Sequence, residues 1–187
     1  MPLLAKTWSP CPEWNILKYR DNIGLGREDV VLDEIEAYAR ELSWVLHQIR
    51  VSLDGLTAVQ LNWRPSTAAN SAYAIASHVI GSTTVYALGF GCGQDVTRDR
   101  AAEFTASGTD ASGLIVAIRQ LQRKLGDALG SLRVPALDER ILPPPYLWGT
   151  GEPREISRRE ALVESIRHGA LHLGELRLTR DLAAKAA

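Results

Sequence analysis

Apolar positions along this chain fall into four long runs at helical spacing. In the first, over 28–54, Leu32, Ile35, Ala39, Leu42, Leu46, Ile49 and Leu53 recur at three- and four-residue steps as one stripe, and Gly55 is its stop. The second, over 69–90, reads "ANSAYAIASHVIGSTTVYALGF" and is rich in Ala, Ser and Gly, which let neighbouring helices approach closely; "GFGCGQD" ends it. The third, over 111–132, carries Leu114, Ile118, Leu121, Leu125 and Leu129 behind Asp110, a candidate N-cap. The fourth, over 158–184, is opened by Ser157 and Glu160, an S-x-x-E capping box.

Between these runs the chain is punctuated rather than periodic. Pro65 centres the first connection, and "VTRDRAAEFTASGTD" is a polar link. Residues 133–156 hold Pro135, Pro143, Pro144, Pro145 and Pro153, which predicts a long crossover loop, a kind of segment that often carries function. No strand pattern or internal repeat stands out. The expected fold is therefore all-α, a four-helix bundle whose long connections need not give plain up-and-down wiring. Residues 1–27 are broken by Pro2, Pro10, Pro12, Gly24 and Gly26 and read as an irregular N-terminal extension, with Trp8 and Trp14 as packing residues; 28–187 is the bundle domain.

Bulk properties narrow the partners. The 187 residues suit one domain, 45% hydrophobic and 23% charged. A net charge of −1 gives no electrostatic case for nucleic acid or an acidic membrane, and its 17 Arg against 4 Lys carry no functional message. Cys11 and Cys92 fit neither a disulfide framework nor a cysteine zinc site and read as free thiols in a reducing compartment. The apolar run at the N-terminus is too short for a signal peptide, and no stretch has the length of a membrane span. A cytoplasmic protein with a small-molecule substrate, and with neither nucleic acid nor membrane as partner, is the expectation.

The histidines carry the candidate chemistry. His168 and His172 in "SIRHGALHLGELRLTRD" lie four residues apart, roughly 40° on a helical wheel, at the edge of the buried face. Such a pair can aim two ring nitrogens at one point, as metal-binding helices do, or can simply be two satisfied half-buried polar groups. His78, mid-way along the second helix, shares a face with Ser71, Ile75, Ser82, Val85 and Gly89 and also looks inward, where an unpaired imidazole is costly. Three inward histidines could share one cation if the second and fourth helices are neighbours. Their nitrogens would then lie about 3–3.5 Å apart around a metal at roughly 2.1 Å, with Ser82 and Gly89 leaving room for a ligand. His47 sits off the Leu/Ile stripe of its helix, beside Trp44 and Val51, and should face solvent or a second subunit. Arg98, Asp99, Arg100 and Glu103 read as a solvated charge cluster at a bundle corner in preference to a substrate site. Tyr146 and Trp148 in "ILPPPYLWGTGEP" either cover the histidines or pack on the bundle. No Ser/His/Asp triad or phosphate-cradling glycine loop is present, since the glycines of "GFGCGQD" end a helix instead of opening one.

Taken in order, "SAYAIASHVIGSTTVYAL", "GQDVTRDRAAEF" and "RHGALHLGELRLTRDL" resemble the DinB/YfiT-like superfamily of metal-dependent hydrolases and thiol transferases. The second stretch is similar to a G-Q-x-x-x-R-D-R-x-x-E-F element of one branch. The third is similar to a terminal helix in which H-x-x-x-H precedes Gly, then Gln or Glu. The resemblance implies an up-down-down-up four-helix bundle, commonly a homodimer, with a divalent metal, nickel or zinc, on His78, His168 and His172. It implies chemistry with low-molecular-weight thiols such as mycothiol, bacillithiol or glutathione, for S-transfer, hydrolysis or maleylpyruvate isomerisation. Glu175 stands where many relatives carry Gln. Independently of the resemblance, three neutral ligands and an open position make a catalytic pattern, whereas a structural zinc is closed by four ligands. A metal-dependent thiol transferase or hydrolase is the leading reading. A non-catalytic metal- or ligand-binding bundle and a structural dimer with empty histidines stand beside it.

Overall fold

A computed structural model describes residues 34–148 and 151–186. The extension at 1–27, the first six residues of the expected opening helix, and Cys11, Trp8, Trp14 and Leu32 lie outside them. Among the described residues four long helices build the fold: α1 (Glu34–Leu53), α3 (Ala72–Thr83), α5 (Ser112–Ser131) and α6 (Arg158–Ala186). Two short helices, α2 (Ala58–Asn62) and α4 (Arg100–Thr105), interrupt the connections.

The apolar stripes become the core. Leu42, Leu46, Ile49 and Leu53 of α1 and Leu114, Ile118, Leu121, Leu125 and Leu129 of α5 are all buried. They meet Ile75 and Val79 of α3 and Leu162, Leu173 and Leu176 of α6 in one cluster. The helix α6 packs on both α1 and α3, and α5 packs on α1. Consecutive long helices α1 and α3 are thus not the main neighbours, as expected of a bundle that is not a simple up-and-down hairpin series. Gly55 adopts φ +73°, the left-handed conformation of a helix stop, and Ser157 and Glu160 form the reciprocal capping box (Ser157 N to Glu160 Oε2, 2.6 Å; Glu160 N to Ser157 Oγ, 3.1 Å).

Three local expectations shift. The second helix is not α-helical throughout: after Thr83 the chain widens into a π-helical stretch, Thr84–Gly91, a register that hydrophobic spacing does not reveal. Asp110 lies one residue before the cap position, held by Ala111, yet its carboxylate still accepts from Ser112 N at 2.7 Å. The 133–156 connection has its own order. A 3-10 turn, Val134–Asp138, leads to β1 (Arg140–Ile141), which pairs antiparallel with β2 (Ile156–Ser157) and closes the base of the loop.

Candidate metal centre

The packing of α3 against α6 brings His78, His168 and His172 together. One potential ligand atom from each lies within 4.8 Å of the others, and His78 Nε2 is 3.0 Å from His168 Nε2. That is the spacing two donors take around one small cation at roughly 2.1 Å. The ring centroids are 4.5–5.1 Å apart with edge-on geometry, so the rings converge and do not stack. His78 is buried, and His168 and His172 are half-buried. His47 is not in the cluster; it sits half-buried on α1 with Arg50 Nη2 3.0 Å from its Nδ1. Trp44, its neighbour, is half-buried against the core.

Carboxylates assign the tautomers. His78 Nδ1 donates to Glu103 Oε2 at 2.8 Å, and His172 Nδ1 donates to Glu175 Oε2 at 2.7 Å. Each bond leaves the Nε2 lone pair of that ring free, the arrangement by which carboxylates orient metal-binding histidines and raise their basicity. Two Nε2 atoms facing each other at 3.0 Å need a proton or a cation between them. Burial, reinforced by His172 and His78, pushes the His168 pKa down to about 4, so this ring is neutral near pH 7 and one of its nitrogens has a lone pair available to a cation.

The Glu103 carboxylate is itself buried and held by Arg98 (Nε to Oε1, 2.6 Å; Nη2 to Oε2, 2.7 Å). Burial opposes its charge, but the hydrogen bonds from Arg98 and His78 and their charges outweigh that and hold its pKa below the usual carboxylate range. The expected solvated charge cluster is therefore corrected in part. Asp99 caps α4 through Ala102 N, as a corner charge should, and Arg100 is exposed; Arg98 and Glu103 are instead buried behind His78. A five-residue separation gives no helical pairing, so the sequence offered no geometric sign of this pair; the only signal was its place in the family-like element. Gly81 makes the arrangement possible. A Cβ there would lie 1.9 Å from Glu103 Oε1, so only glycine leaves the notch that the carboxylate fills. Ser82 and Gly89, expected to leave room for a ligand, serve packing: Ser82 bonds Val79 O, and Val96 fills the space beside Gly89.

A cavity of about 260 Å³ opens beside the cluster, lined by His78, His168, Tyr86, Arg98, Arg100, Trp148 and Glu164. The crossover loop thus supplies a wall through Trp148, while Tyr146 is 76% exposed and takes no part. The π-helical stretch supplies Tyr86. Cys92 is half-buried, and burial raises its thiol pKa to about 11, so it is a poor nucleophile.

The family model for the DinB superfamily matches residues 41–176. This chain belongs to the DinB superfamily. The match runs from within α1 through most of α6 and includes all three clustered histidines. No curated protein matches the chain. Among solved structures, a DinB-like protein from Bacillus cereus is similar at 16% identity and a TM-score of 0.62, covering 80% of this chain and 93% of that one. A conserved protein from Enterococcus faecalis is similar at 13% identity and a TM-score of 0.60, covering 82% of this chain and 99% of its own. At these identities the likeness concerns the fold: an all-α DinB-like bundle. Among the described residues no helix is long and apolar enough to cross a membrane.

Proposed function

We propose that this chain is a metal-dependent enzyme, a thiol-dependent S-transferase or hydrolase, with His78, His168 and His172 holding a divalent cation. The donor set fits: three imidazole nitrogens suit nickel or zinc, and two of the rings have Nδ1 fixed by carboxylates. A bound divalent cation would supply Lewis acidity that lowers the pKa of a thiol or water toward neutrality. The observation that carries an enzymatic reading over a structural one is the open side. Among the described residues the cluster has three members and no fourth, and two of them, His78 and His168, line a cavity.

The protein's own groups have distinct tasks in this reading. Glu103, seated by Arg98 and Gly81, holds the His78 ring and keeps its proton on Nδ1. Glu175 does the same for His172 from one turn along α6. Tyr86 and Trp148 exclude water from one side of the cavity and orient what enters it.

The test is metal analysis of the purified protein, followed by conjugation assays with several low-molecular-weight thiols. Roughly one nickel or zinc per chain, and thiol turnover that disappears in His172→Ala, is the expected outcome. Stoichiometric metal without turnover for any thiol or hydrolysable ester would leave a binding protein and end the enzymatic reading.

A further inference from the structure

The cavity beside the histidines has an unbalanced charge. Arg98 is closed on Glu103, and Glu164 accepts two hydrogen bonds from Arg167 Nη2 at 2.7 Å. Arg100 differs. Among the described residues it has no carboxylate partner, and its guanidinium rests over the Phe104 ring at 5.1 Å. Phe104 in turn stacks on His78, with centroids 4.8 Å apart and planes 29° from parallel. A stack thus runs from one cavity-lining cation, Arg100, through Phe104 to one cavity-lining histidine, His78. Tyr86 and Trp148, with ring centroids 6.1 Å apart, add an aromatic wall to the same cavity. The cavity offers one guanidinium without a carboxylate partner among the described residues, one aromatic wall and two lining imidazoles.

Those three features define a ligand class. A single guanidinium presents a planar fork that matches the two oxygens and single charge of a carboxylate. Of the guanidiniums lining the cavity, Arg98 is occupied by Glu103, so Arg100 alone can meet an anion without recruiting a metal. An aromatic wall favours a hydrocarbon or planar part over a fully polar one. We propose that the cavity binds a small carboxylate-bearing organic molecule, with its carboxylate on Arg100 and its apolar part against Tyr86 and Trp148. The metal-dependent reading above is needed only for the end of that molecule that faces His78 and His168.

Benzoate and benzamide, its uncharged counterpart, are suitable probes, titrated into the metal-loaded chain by calorimetry or saturation-transfer NMR. Benzoate should bind about tenfold more tightly than benzamide, the scale of one charge-assisted contact. Arg100→Gln, at an exposed position where folding is not at stake, should erase that preference while leaving metal content and benzamide binding unchanged. Trp148→Ala should weaken both probes. Equal binding of the two probes, an unchanged preference in Arg100→Gln, or no benzoate binding up to about 20 mM would overturn the proposal. So would inorganic phosphate outcompeting benzoate. The same titrations in metal-free protein separate the two readings. A preference for benzoate that depends on Arg100 and survives without metal supports the site even if the metal assay fails. Benzoate binding that vanishes with the metal and ignores Arg100→Gln places the carboxylate on the metal and overturns the proposal, leaving the metal reading intact.

Discussion

Glu103 is worth most attention at the scale of single residues. It joins a buried guanidinium to a buried imidazole, so replacing it affects both. Glu103→Gln should weaken zinc or nickel binding by about 10–100-fold, the range for lost carboxylate partners of metal-binding histidines, measured by competition with a chromophoric chelator. It should also destabilise the fold by a few kcal/mol, because Arg98 is left as a buried charge without a full partner. Gly81→Ala should act in the same direction by displacing the carboxylate, and combining the two changes should cost less than their separate effects together, since both break one contact. Additive losses would show that Gly81 serves something other than the Glu103 seat. The histidines set a pH dependence. In metal-free protein the folded His168 pKa lies near 4, below the unfolded value of about 6.5, so the unfolded chain binds the proton first. Stability from this ring is therefore complete above about 6.5 and is lost as pH falls toward 4. The urea midpoint should decline across that window in wild type and decline less in His168→Ala; matching slopes would refute the assignment.

At the scale of elements, the two stripes of α1 and α5 carry the core and the cap of α6 sets where the site-bearing helix begins. Ile118 is fully buried, so Ile118→Ala should cost about 2–5 kcal/mol in denaturant unfolding. Ser157→Ala should cost about 1 kcal/mol through the lost cap and leave metal affinity unchanged, because His168 lies three turns into α6. Loss of metal in that variant would mean that the start of α6 controls the histidines directly. The stripes, the Gly55 stop and the capping box were legible in the sequence because each is a local rule: residues three or four apart share a face, and a cap satisfies its own first turn. The π-helical stretch was not, because widening one turn leaves composition and spacing unaltered. The β1–β2 pair was not legible either; two strands of two residues are held by the closure of the loop and carry no pattern of their own.

At the scale of the whole molecule, the candidate site exists only where α3 meets α6. A cation bound there ties two helices 90 residues apart in sequence, and binding to the folded state alone raises its stability by mass action. Zinc or nickel should therefore raise the melting temperature of wild type and of His47→Ala alike, and should leave His172→Ala unmoved; a His47→Ala variant that no longer responds would put that residue in the site. The sequence by itself determined which faces of the four long helices are apolar, hence an all-α bundle, and which three histidines face inward, because burial of apolar surface acts on each helix as a periodic pattern. Their convergence was open until α3 and α6 were seen to be neighbours. The tertiary structure alone decided what stands behind them. Glu103 reaches His78 across 25 residues, through a notch that a missing Cβ leaves at Gly81, and Trp148 comes from the crossover loop to wall the cavity. Contacts of that kind depend on where chain segments meet after packing, and no local spacing encodes them.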